Sequence, residues 1–180
     1  TASGVTQTVL VTSPKFTIFG KGGSKTEGIE ENWQVVRAIA QRWPDHFIPF
    51  TTLTPGDPKK LDQLRRHRAE GAQGLKLYNG HSNYFVESEG LMPAGMDEVL
   101  KCCSDSKMPV LWHVRLSRFG KEFEEKVLKK YPDLKLVIAD YGVAFWRPEG
   151  KIMGEVDRLL DTYKSLYFDT SLGTRKILVD

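Results

Sequence analysis

Short apolar runs and longer amphipathic stretches take turns along nearly the whole chain. Residues 6–12 (Thr-Gln-Thr-Val-Leu-Val-Thr) read as a strand. Residues 32–43 follow the helical period, with an apolar face at Val35, Val36, Ile39 and Ala40. A strand at 47–50 and a helix around 58–70 come next, then the short apolar segment Gly74-Leu-Lys-Leu-Tyr78. The pattern predicts a helix over 95–104, a strand over 109–114, and a helix over 121–131 that Pro132 and Asp133 stop. The run Leu136-Val-Ile-Ala-Asp140 precedes a helix near 154–163, and Leu166-Tyr-Phe-Asp169 follows it.

Six strands alternating with five helices describe βα units, and such alternation implies a parallel sheet. A doubly wound open sheet and a (β/α)8 barrel share this signature, and periodicity does not separate them. No linker divides the chain, so residues 1–180 read as one domain. The strand-to-helix connections 12–31 and 79–94 are long and rich in Gly, Ser, Asn and aromatics. The return at 42–46 (Arg-Trp-Pro-Asp-His) is short. Long loops on one face only are how an α/β protein builds a binding mouth.

Composition adds limits rather than a function. A chain of 180 residues with 40% hydrophobic and 27% charged positions is an ordinary globular domain with a substantial core. Its net charge of +3 is too small to argue for nucleic acid, and Arg65-Arg-His-Arg68 reads as a solvated helix face. No apolar stretch approaches the roughly 20 residues that span a bilayer, and no signal peptide opens the sequence. Cys102 and Cys103 are helical neighbours pointing in different directions, which speaks against a disulfide between them and for a reducing, cytoplasmic setting. The first residue, Thr1, and the last, Asp180, both read as cut ends.

Polar residues at the C-terminal ends of barrel strands are where chemistry is built. His113 closes the apolar run 109–114, Asp140 closes 136–140, and Lys76 stands in the strand before them. His113 suits a metal ligand; the bland alternative is a satisfied histidine packed under a loop. Asp140 suits a ligand or a general acid or base, against a plain turn carboxylate. Lys76 suits an anchor for an anionic substrate group, or a desolvated nucleophile or base, against a snorkelling lysine. Arg115 and Arg118 follow His113 as potential carboxylate clamps, and His81 and Tyr84 lie in the long loop after Lys76 as substrate contacts. His46 precedes a strand and His67 sits in a helix, so both are set aside. The stretch 20–26 (Gly-Lys-Gly-Gly-Ser-Lys-Thr) fails as a phosphate loop, because Ser24 precedes Lys25; it reads as a mobile lid.

In these segments the chain resembles the amidohydrolase superfamily, in its amidohydrolase-2 branch of metal-dependent TIM-barrel hydrolases and decarboxylases. The resemblance is carried by Gly74-Leu-Lys-Leu-Tyr78, by residues 108–114 (Met-Pro-Val-Leu-Trp-His-Val), by residues 123–142 and by residues 166–171 (Leu-Tyr-Phe-Asp-Thr-Ser). It implies a partial (β/α)8 barrel covering the second to seventh strands, with the terminal units missing. It also implies a divalent metal, Zn before Mn, with His113 as ligand and Asp140 as proton shuttle or substitute ligand. Lys76, Arg115, His81 and Tyr84 would then meet a small-molecule substrate: an ester, lactone or amide, or a carboxylate to be lost. The family's His-x-His pair and its last metal-binding Asp are not found here, and Asp140 stands where a His is usual. A non-catalytic fragment or scaffold is therefore the alternative expectation. The strands needed for closure would come from a longer polypeptide, a second copy or a complementing chain.

Overall fold

The computed structural model describes residues 4–12, 28–78, 90–142 and 149–169. Six strands, β1 (Thr8–Val11), β2 (Phe47–Thr52), β3 (Gly74–Leu77), β4 (Val110–Trp112), β5 (Leu136–Ile138) and β6 (Leu166–Phe168), form one sheet. Between them run α1 (Ile29–Arg42), α2 (Lys60–Ala69), α3 (Met96–Asp105), α4 (Leu116–Phe123) and α5 (Glu149–Thr162). Every strand pairs in parallel with its neighbour in sequence, so the order is β1 to β6 without a reversal. A doubly wound sheet reverses direction beside its first strand. A sheet that only steps forward is an arc of a (β/α)8 barrel, and the topology thus resolves what periodicity left open.

The two faces of the arc differ. Leu75, Leu77, Val110, Trp112, Leu136, Ile138 and Leu166 are buried. On this side the Trp112 ring meets Phe123 of α4 edge-on, with centroids 5.3 Å apart. Burying a side chain of this size contributes roughly 1.5–3 kcal/mol, so this helix-covered face supplies most of the cohesion. The register puts Lys76, Leu111, Val137 and Tyr167 side by side on the opposite, concave face. There Leu111 and Val137 are only half-buried and Tyr167 is exposed. Gly74 pairs with Phe50, and a Cβ on Gly74 would fall 2.2 Å from the Phe50 ring. Only glycine admits that ring beside the strand that carries Lys76.

Helix faces and boundaries depart from the sequence pattern. The buried stripe of α1 is Ile29, Trp33, Val36 and Ala40, whereas Val35, expected inside, is exposed. The large Trp33 rotates the helix onto itself. α4 begins at Leu116, five residues before the expected start, because Leu116 and Phe123 both fill the core. The chain continues past α4 as a π turn over Glu124–Leu128, closed by the Lys129 N–H on the Glu124 carbonyl (3.0 Å). The wider turn lets the adjacent Val127 and Leu128 both face inward. Nor is Arg65-Arg-His-Arg68 simply a solvated face, since His67 is fully buried. Both cysteines are free thiols, and burial pushes that of Cys103 up. Among the described residues no helix is long and apolar enough to cross a membrane.

Candidate functional site

Three neighbouring strands deliver three polar side chains to one end of the sheet. Lys76 lies in β3, His113 immediately follows β4, and Asp140 follows β5 within a 3-10 turn, Ala139–Gly142. The ladder runs one residue past β4, because the His113 N–H donates to the Leu77 carbonyl (2.8 Å). Alternation from the helix-facing Trp112 then turns the His113 ring to the concave side. Its Nε2 stands 3.1 Å from Asp140 Oδ2, off the line of a hydrogen bond, so the contact is electrostatic. His113 is 8% exposed and Lys76 6%, so both work at low dielectric.

Burial lowers the Lys76 ammonium to about 8; Asp140 and Asp169 act weakly in the opposite direction. Its Nζ lies 5.0 Å from the Tyr78 ring centre, an arrangement that favours the charged form. Thr52 Oγ1 donates to the Lys76 carbonyl (2.7 Å) and ties this strand to β2. Asp140 adopts a left-handed backbone conformation (φ 53°) that costs a non-glycine residue about 1–2 kcal/mol. Its N–H donates to Asp169 Oδ1 at 2.9 Å, and the Asp169 N–H donates to the Ile138 carbonyl at the same distance.

The structure thus brings Lys76, His113 and Asp140 to one mouth. Arg115, two residues beyond His113, is half-buried and occupies the N-cap position of α4 in an extended backbone conformation. Arg118 stacks its guanidinium 5.2 Å from the Phe119 ring. His81, Tyr84 and the Gly-rich stretch 20–26 lie outside the described residues. Asp169 and Tyr78 went unassigned in the sequence reading. A signal for Asp169 was there, since it ends its apolar run as Asp140 does.

His67 stands behind the sheet, on the helix side. Thr51 Oγ1 lies 2.5 Å from its Nδ1, and Glu30 Oε2 lies 3.2 Å from its Nε2. A carboxylate only accepts, so Nε2 carries the proton and Nδ1 receives the threonine hydroxyl. The ring stacks on Trp33 at 4.9 Å, and the Trp33 indole N–H donates to Glu70 (2.6 Å). Arg66 grips Glu30 with both guanidinium nitrogens (2.7 and 3.0 Å), and Gln63 adds a third donor (2.6 Å). The Arg66 bond is the largest of the effects that hold the Glu30 carboxyl at about 2. Burial lowers His67 below its usual value, against the pull of Glu30.

Two ligands of one divalent ion with bonds of about 2.1 Å sit about 3.0–3.4 Å apart. The His113–Asp140 separation of 3.1 Å falls in that range, and the donor types suit Zn or Mn. The pair therefore fits as two neighbouring ligands. Among the described residues, no group of three or more His, Cys, Asp or Glu completes the set.

A barrel arc with polar groups at the carboxyl ends of adjacent strands has the layout of a TIM-barrel enzyme site. The sequence model of the amidohydrolase-2 family (Amidohydrolase) matches residues 17–178, and the chain belongs to that family. The chain is similar to an uncharacterized TIM-barrel protein of Bordetella bronchiseptica, with 19% identity and a TM-score of 0.63 over 95% of this chain and 56% of that one. It is similar to 5-carboxyvanillate decarboxylase of Novosphingobium aromaticivorans, complexed with manganese and 4-hydroxy-3-methoxy-5-nitrobenzoic acid. There identity is 16% and the TM-score 0.54, over 93% and 55% of the two chains. For a putative 2-pyrone-4,6-dicarboxylic acid hydrolase of Pseudomonas putida the values are 15% and 0.53, over 99% and 72%. At such identities the likeness shows the fold alone. No curated protein is matched by the sequence. The chain spans about half the length of the first two of these structures.

Proposed function

We propose that the chain forms the working face of a metal-dependent enzyme of the amidohydrolase type, a hydrolase or a related decarboxylase acting on a small molecule. The observation that carries this reading is the 3.1 Å approach of His113 to Asp140 beside a buried lysine, at the ends of adjacent strands. His113 is the metal ligand, and Asp140 is either a second ligand or the group that holds and returns a proton at Oδ2. Lys76 takes an anionic group of the substrate; Arg115, His81 and Tyr84 orient the rest. The ion, Zn in first place and Mn in second, supplies Lewis acidity: toward water when an ester, lactone or amide is cleaved, toward a carboxylate in a decarboxylase. Residues 1–180 act as one barrel unit in the cytoplasm. Strands that close the barrel come from the same polypeptide, a second copy or a complementing chain.

A second reading is a metal-free scaffold, favoured by the absence, among the described residues, of a group of three or more metal-binding side chains. Elemental analysis of the protein beside a His113→Ala variant separates the two. Near one equivalent of Zn or Mn, lost in the variant, is the expected result. No metal in either protein sinks the enzyme reading and leaves the scaffold.

A further inference from the structure

The turn at Asp140 poses a geometric problem. Ile138 pairs with Trp112 in register, and both are buried on the helix-covered face. Strand alternation would send residue 140 to that same face, away from His113. Asp140 reaches His113 because the chain leaves the extended conformation directly after Ile138 and passes through φ 53°. Aspartate enters the left-handed region more readily than most residues, but persists there only when its surroundings hold it.

Asp169 provides that hold from the end of β6, on both sides of Ala139. Its N–H binds the Ile138 carbonyl and its Oδ1 receives the Asp140 N–H, each at 2.9 Å. We propose that Asp169 is a positioning residue, whose carboxylate fixes the Asp140 backbone and thereby aims the Asp140 side chain at His113. This rests on the reading of His113 and Asp140 as the working pair and adds the part that sets their geometry. Asp169 acts as a hydrogen-bond acceptor here; its negative charge, felt by Lys76, is incidental to this role.

Asparagine keeps the acceptor and removes the charge, so Asp169→Asn and Asp169→Ala divide the question. In metal-free protein, the His113 ring proton and carbon resonances report the position of Asp140. We expect Asp169→Ala to move them toward their values in Asp140→Ala, with Asp169→Asn staying at the native values. The Asp140 amide should remain protected from exchange in Asp169→Asn and lose protection in Asp169→Ala. Zn affinity, from chelator competition, should fall tenfold or more in Asp169→Ala and recover most of the way in Asp169→Asn. His113 resonances unmoved by Asp169→Ala overturn the proposal, and so does an Asn variant as perturbed as the Ala one. Should Asp169→Ala not fold, Asp169→Ser takes its place, since its hydroxyl is too short to reach the amide. Absence of Zn from the native protein would defeat the enzyme reading, while the metal-free resonances would still decide the role of Asp169.

Discussion

His67 and His113 are 0% and 8% exposed, yet they are buried in opposite ways. His67 has a partner at each ring nitrogen and a tryptophan along its face, and the groups around it are themselves bonded to Arg66, Gln63 and Glu70. His113 approaches a carboxylate at 3.1 Å without hydrogen-bond alignment, beside a buried lysine and a residue in a left-handed conformation. A saturated polar cluster holds α1, α2 and β2 together and has nothing left to offer a ligand. At the mouth the His113–Asp140 pair is held close without hydrogen-bond alignment, which gives back less of the cost of burying it. Burial alone therefore says little about a histidine; the alignment of its partners says more.

The sharpest test of the contrast is deletion of each ring. His67→Ala leaves the Thr51 hydroxyl and Glu30 without their partner and opens a void against Trp33. It should cost about 3–4 kcal/mol, on the order of 10 °C in Tm for a domain of this size. His113→Ala should stay within about 1 kcal/mol of the parent by the same thermal melt. Equal losses for the two would break the comparison.

Lys76→Met should move stability the other way, raising it by up to about 3 kcal/mol at pH 7. The lysine's folded value, about 8, lies below the ordinary 10.5. Its charge thus opposes folding below pH 8, and this penalty disappears as pH rises from about 8 to 10.5. The Tm advantage of the variant should narrow over that window; a gap independent of pH would contradict the assignment. Substrate or anion binding should be lost in the same variant.

Acid should attack the His67 cluster first. The lowered value of His67 means that the unfolded chain takes its proton more readily, so stability falls as pH drops below 6.5. Glu30, held at about 2 against an ordinary 4.5, contributes stability above 4.5 that is lost as pH falls toward 2. Its side chain is 45% exposed, so solvent screening reduces that contribution to about 1 kcal/mol. In His67→Gln, urea midpoints measured against pH should lose the component that sets in below 6.5 and keep the Glu30 component that sets in below 4.5. Trp33→Phe, which removes the indole donor to Glu70 and keeps most of the stack, should cost about 1 kcal/mol by urea unfolding.

Much of the mouth was legible in the chain because strand-end chemistry is written locally. An apolar run that ends on a polar residue marks both the strand and the direction of its end, and this singled out His113 and Asp140. Asp169 carries the same mark, but its partner is the backbone of Asp140, 29 residues away, and no local pattern reveals that. His67 was illegible for a related reason. It lies in a strongly polar helix, and its burial depends on Trp33 and Glu30 of α1, the latter 37 positions earlier.

Periodicity is set by neighbours within a turn or a pleat, so the sequence by itself determined the number and order of the described strands and α-helices, though not the π turn at Glu124–Leu128 or the 3-10 turn at Ala139–Gly142. It also placed the polar residues near strand ends. Which strands pair, which helix face turns inward, where α4 starts and how Asp140 comes round to His113 were decided only in the tertiary structure. Each of these depends on groups far apart in the chain. Packing can override a local preference of about 1 kcal/mol whenever a buried side chain contributes more than that.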